Sequence, residues 1–191
     1  MTTQEKNGIT EGVIWKQLLI FFFPILVGSF FQQLYNTVDS VIVGQFVGKE
    51  ALSSVGGSAG QIISLVVGFF TGVSTGATVI ISQYFGAGKK EEIEESLHTA
   101  YAFALVGGLV LGIAGIVFAP QMLRWMNTPE ELIAESVLYV RVYFSGLIFI
   151  FIYNMGAAIL RAVGDSKRPL YYLIVCSVVN IILDLLLILV I

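Results

Sequence analysis

The chain has 191 residues, 57% of them hydrophobic and only 12% charged, with a mean hydropathy of +0.88, whereas a soluble domain averages about 45–50% apolar and about 25% charged. That composition describes an integral membrane protein. The net charge of -3 without a basic run longer than two residues excludes a nucleic-acid surface, the single cysteine, Cys176, excludes an internal disulfide, and the single histidine, His98, excludes paired-histidine metal sites.

The N-terminal Met1–Gly12 is polar, and the apolar run after it is too long for a signal peptide and has no small-residue cleavage site. The first helix is therefore expected to stay in the protein. Five membrane helices are predicted, at about Trp15–Val43, Ala51–Phe85, Glu94–Phe118, Pro129–Val163 and Pro169–Ile191, each longer than the ~20 residues that cross hydrocarbon. The predicted fold class is an all-α membrane protein with five transmembrane helices. Its second and fourth helices are long enough to tilt, kink or protrude into water. Counted by alternate sides, Lys6, Lys16, Lys89, Lys90, Arg161, Lys167 and Arg168 face Lys49, Arg124 and Arg141. This bias puts the N-terminus in the cytoplasm.

Helix 1 contains Pro24, which removes a backbone hydrogen bond and can seed a bend, either as a hinge or as a static kink. Further along, Gln32, Tyr35, Asn36 and Asp39 recur at spacings of three and four and share one face. A carboxylate at the middle of a membrane helix costs about 2.5–3.5 kcal/mol on insertion scales. Asp39 is therefore expected to face a bundle interior or a watery cavity. The phenylalanines at 21, 22, 23, 30 and 31 suit either a cavity for flat apolar ligands or lipid packing.

Helix 2 carries Gly68, Gly72 and Gly76, and helix 3 carries Gly108 and Gly112; both stripes are expected to be packing seams. The loop Gly86–Glu92 superficially resembles a phosphate loop, but no Ser or Thr follows its lysine and an apolar helix precedes it. A charged helix end, Lys89–Glu95, is the better reading. Met122, Trp125 and Met126 suit an interfacial belt. Gln61 and Ser64 in helix 2, with Asn154, Tyr139 and Tyr143 in helix 4, either line a cavity or make interhelical hydrogen bonds. After helix 4, Gly164 can end one helix, Asp165 or Ser166 can cap the next, and Pro169 suits its first turn. Arg161 and Asp165 could instead clasp each other as a gate.

Helix 5 carries Asn180 and Asp184 four residues apart on one face. At 1.5 Å per residue, Asp184 lies roughly 22 Å from Pro169, and Asp39 roughly 36 Å from Trp15. Both acids thus belong to the outer half of the bundle. Two carboxylates in an apolar bundle cannot both stay ionised and unpaired, because desolvation and mutual repulsion disfavour the charged forms. Protonation resolves this, and so does a cation bound by carboxylate, amide and hydroxyl oxygens such as those of Asn180 and Thr37.

The stretches Gln33–Asp39 with Val43-Gly44, Ser82–Lys89, Leu160–Asp165 and Asn180–Asp184 together resemble the multidrug and toxic compound extrusion (MATE) transporters, closest to the branch with the DNA-damage-inducible and archaeal-type members. The resemblance implies twelve helices in two six-helix lobes, exporting organic cations or amphiphilic drugs in exchange for H+ or Na+. It implies that Asp39, Asn180 and Asp184 form the cation site of the N-terminal lobe, the Na+ site if sodium is the coupling ion, with Tyr35 and Tyr139 in the surrounding hydrogen-bond network. Pro24 would be the bend point of helix 1 and Gln32 would face the drug cavity. Asn36 and Asn154 are further candidates for that cavity. The resemblance implies no enzyme activity, no organic cofactor and no nucleic-acid partner, with the lipid bilayer and a C-terminal lobe as the surroundings. Because the chain stops at Ile191 inside an apolar run, a fragment is expected, with the sixth helix and the second lobe lying outside it.

Three rivals remain. A lipid-linked oligosaccharide flippase of the same superfamily would line its cavity with arginines, and those here sit at helix ends. An intramembrane aspartyl protease would carry Tyr-Asp and Gly-x-Gly-Asp pairs, but Val38 precedes Asp39 and Leu183 precedes Asp184. A non-transporting membrane subunit would need a partner chain to complete the bundle.

Overall fold

A computed structural model describes residues 13–190; the polar stretch Met1–Gly12, with its bearing on a signal peptide, and Ile191 lie outside the described residues. These residues form seven α-helices and no strand: α1 (Ile14–Ile42), α2 (Lys49–Gly56), α3 (Ser58–Gly86), α4 (Lys90–Trp125), α5 (Glu130–Ser145), α6 (Leu147–Ala162) and α7 (Lys167–Val190). A π-helical turn, Val43–Val47, extends α1. Four helical spans are long and apolar enough to cross a membrane, and α5 with α6 make a fifth when taken as one bent span.

Two of the expected rods are broken. The second divides at Gly57, where a Cβ would stand 2.6 Å from the Ser53 carbonyl oxygen, so only glycine fits the turn. The fourth bends by 49° at Gly146. Ser145 Oγ donates to the Val142 carbonyl at 2.6 Å and the glycine adds no side-chain packing, the Ser/Gly combination that kinks helices. The third rod is longer than expected and runs unbroken through Pro120. A proline at 120 deprives the Ile116 carbonyl of its usual donor, four residues back. Arg141 of α5 supplies the replacement, its Nε donating to that carbonyl at 3.1 Å. Arg141 lies within a helix, as expected from the predicted span Pro129–Val163, and its side chain is used for this contact.

The core belongs to α3–α6. Ile62, Phe70 and Ile81 of α3, Ala104 and Leu123 of α4, Val140 and Phe144 of α5, and Phe151 and Met155 of α6 are all buried together. Phe70 stacks on Phe151 with ring centroids 3.3 Å apart. Gly108 and Gly112 form the expected seam: added Cβ atoms would meet Ile148 Cα at 2.9 Å and the Phe144 carbonyl oxygen at 3.0 Å. The stripe on α3 is different, since Gly68, Gly72 and Gly76 have no atom within 4 Å of an added Cβ. Their small size closes no gap within this chain, and that expectation of packing is corrected.

α1 pairs along its length with α7. Gly28 faces α7 there, and a Cβ would stand 3.5 Å from both Leu170 and Leu173, an ordinary contact distance that does not require glycine. Neither helix contributes to the buried core cluster of α3–α6. The turn before α7 is closed by caps: Gly164 adopts φ +91°, and Asp165 Oδ1 accepts from the backbone N–H groups of Lys167 and Arg168, each at 3.1 Å. The Asp165 carboxylate pairs with Arg168 at 3.1 Å, not with Arg161, so the proposed clasp gives way to the capping reading.

Candidate functional site

The α1–α7 seam brings the two membrane acids together. On α7, Leu173, Ser177, Asn180 and Asp184 fall on the face turned inward, while Val178, Val179, Ile182 and Leu183 are exposed. On α1, Tyr35 and Asp39 are half-buried while Gln32, Asn36 and Thr37 are exposed. Asp39 lies within electrostatic reach of Asp184, and Tyr139 of α5 lies within reach of Asp39. Tyr143 neighbours both Tyr139 and Tyr35, its ring 6.4 Å from that of Tyr139. The half of the seam far from Pro169 is thus an acid pair flanked by three phenols.

Asn180 Oδ1 and Asp184 Oδ2 are buried and have no hydrogen-bond partner among the described residues. An acceptor buried in that way costs about 1–3 kcal/mol and more when charged. Two such oxygens on one helical face, beside a second carboxylate, make a donor set suited to a proton or a hard cation that takes oxygen ligands. Only two carboxylates converge, and among the described residues no group of three His, Cys, Asp or Glu side chains does so. Thr37 does not join the set: its hydroxyl donates to the Gln33 carbonyl at 2.8 Å on the exposed side of α1.

About 10 Å further down α1, by helical rise, lies a separate cavity of about 100 Å³ lined by Pro24, Gly28, Gln32, Asn154, Arg161 and Ser166. Two of the cavity candidates, Gln32 and Asn154, meet here beside the helix 1 proline. Asn154 Nδ2 donates to Ile150 of its own helix at 2.8 Å, and Arg161 Nε donates to Ala157 at 3.0 Å, so neither makes the interhelical bond expected of a buried polar group. Asn36 is exposed and belongs to neither cluster. Tyr153, which lines this cavity and neighbours Tyr35, was not singled out by spacing. Tyr139 and Tyr143 repeat at four residues, but the bend at Gly146 shifts the phase before Tyr153.

A helical bundle with several membrane-spanning candidates and unpartnered buried oxygens in the seam between two of them has the build of a membrane transporter. The MatE family model matches residues 24–186, and the chain belongs to that family of transporters. It is 33% identical over 181 residues to a probable multidrug resistance protein, YoeA, of Bacillus subtilis, covering 95% of this chain and 38% of that protein. A second relative from the same organism, the probable multidrug resistance protein YpnP, is 34% identical over 177 residues, covering 91% of this chain and 39% of that one. Among solved structures, the outward-facing conformation of a multidrug resistance MATE family transporter of the MOP superfamily superposes with a TM-score of 0.88 at 26% identity, covering 96% of this chain and 40% of that one. The chain spans about 40% of the length of the relatives it matches.

Proposed function

We propose that these residues form the N-terminal lobe of a multidrug exporter that exchanges an organic cation or amphiphilic drug for H+ or Na+. The observation that carries this reading is the pair of buried, unpartnered oxygens on Asn180 and Asp184 next to Asp39. Asp39, Asn180 and Asp184 take the coupling ion, and Tyr35 and Tyr139 form the surrounding hydrogen-bond network. A sixth helix and a second lobe complete the pathway. The protein is multi-pass in the cytoplasmic membrane with its N-terminus inside. The count of seven basic residues on the N-terminal side against three on the other supports that orientation.

Loading the acids from outside neutralises the seam and changes how closely α1 can lie on α7. Pro24 is the bend point that transmits this change, and Gln32 and Asn154, with Asn36 on the exposed face above, border the drug path. The ion acts through its different affinity for the two states, as coupling requires. The test is efflux of a fluorescent organic cation from pump-deficient cells expressing the complete transporter, under separate proton and sodium gradients. Gradient-driven efflux should be abolished by Asp39→Asn and by Asp184→Asn at unchanged expression. Efflux that survives both substitutions sinks the coupling role, and wild-type protein without efflux under either gradient favours the flippase.

A further inference from the structure

We infer that the groove between α3 and α4, at the end of the bundle proposed to be cytoplasmic, is a recruitment site for amphiphilic organic cations, with Glu92 and Glu95 at its mouth. The inference deepens the multidrug reading and rests on it. The groove encloses about 580 Å³, within the range of small-molecule sites, about 300–1,000 Å³. It is separate from the acid pair, since no residue of α1 or α7 lines it. Its wall is apolar, formed by Ile80, Ile81 and Phe103 with Met155 at the floor, and Ile81 and Met155 are fully buried.

The mouth already holds an ammonium. Lys89 Nζ stands 3.2 Å from Glu92 Oε1 and 5.9 Å from the centre of the Tyr84 ring. A carboxylate facing an aromatic ring is the pairing that recognises alkylammonium and other soft cations. Lys89 is exposed, and an exposed ion pair is readily exchanged. The lysine therefore behaves as a tethered stand-in that a ligand cation can displace. Glu91 and Glu92 in the first turn of α4 are explained by the helix dipole alone. Glu95 is not: it lies beyond that turn, lines the groove and has no basic partner within ion-pair distance among the described residues.

The arrangement also selects a shape. Charge sits at the rim, next to the α3–α4 turn, and the apolar wall runs inward from it. A molecule with a cationic head and a hydrophobic body would bind in the orientation it already has in the lipid leaflet. A neutral amphiphile gains nothing from the carboxylates, and an anionic one is repelled.

The test uses the complete transporter, in proteoliposomes for transport and in lipid nanodiscs for binding, with the double variant Glu92→Gln/Glu95→Gln and, separately, Lys89→Gln. For rhodamine 6G efflux, KM should rise about five- to tenfold in the double variant and fall several-fold in Lys89→Gln, with kcat unchanged in both, because the lost contacts bind the cation head. Direct binding of tetraphenylphosphonium should move in the same two directions, and this readout does not require transport. Absence of efflux in the wild type would defeat the proposed function but leave the binding measurement to decide this site. Binding and KM unchanged in both variants would overturn the inference. So would competition by a neutral dodecyl amphiphile as strong as that by dodecyltrimethylammonium, which would make the groove a lipid seat.

Discussion

The α3–α6 bundle and the α1–α7 pair are made of similar sequence and held in different ways. The bundle interlocks through Gly108, Gly112 and the Phe70–Phe151 stack, and every residue of the buried cluster belongs to it. The pair meets at Gly28 with room for a Cβ at ordinary contact distance, and keeps its polar face partly open. Each region also contains a proline within a long helix. In α4 the carbonyl that Pro120 orphans receives the Arg141 guanidinium. In α1 no other helix sends a side-chain donor to the corresponding carbonyl of Ile20, among the described residues. The carbonyl orphaned by Pro120 is stapled by another helix, and that orphaned by Pro24 is not, among the described residues. The acid pair lies on the α1–α7 side, outside the buried cluster of α3–α6.

The largest expected effect lies in the bundle. A Cβ at Gly115 would run into the Phe144 ring, root and edge together, and that ring is 3% exposed and cannot swing away. Gly115→Val should therefore cost about 3 kcal/mol, at the top of the overpacking range. Thermal unfolding of the purified protein followed by circular dichroism checks it. A variant as stable as the wild type would mean that the bundle is not the rigid half.

The stapled proline gives a smaller effect and a cleaner one. Arg141→Met removes the donor to Ile116 but also the cost of holding an arginine in the membrane, about 2.5–3.5 kcal/mol on insertion scales, so its net sign is uninformative. The informative quantity is the cycle with Pro120→Ala, which returns a backbone N–H to the same carbonyl. Arg141→Met should be more damaging in the wild-type background than in the Pro120→Ala background by about 1.5–3 kcal/mol, the worth of a hydrogen bond from a charged donor. A coupling near zero, measured by denaturant unfolding, would mean that the contact does not hold α4 straight.

Most of the acid site was legible before any coordinates, for a reason of cost. Asp39, Asn180 and Asp184 are expensive in an apolar helix, so each announces itself, and helical spacing alone puts Asn180 and Asp184 on one face. What brings Asp39 to Asp184 is the packing of α1 on α7, which no local pattern encodes. The breaks were less legible. Ser145-Gly146 and Gly56-Gly57 have no proline beside them, and small residues within a span do not by themselves mark a break. The role of Arg141 was hidden because it depends on a contact 25 residues away in sequence. The charge count gave it a side of the membrane but no partner, and its side chain is recruited to the carbonyl that Pro120 orphans.

The smallest expected effect is at the α3 stripe, and it separates the two kinds of glycine. Gly108 and Gly72 look alike in sequence, each part of a four-residue repeat of small residues in a membrane helix. An added Cβ at Gly108 meets backbone, while at Gly72 it meets nothing within 4 Å. Gly72→Ala should thus leave the stability of this chain unchanged or raise it by up to about 1 kcal/mol through helix propensity. Unfolding of the 191-residue chain beside the complete transporter checks this. A loss of stability in the short chain would show that α3 packs differently from the arrangement described. A loss confined to the complete transporter would mean that the stripe is a seam after all, with its partner helix contributed from outside these residues.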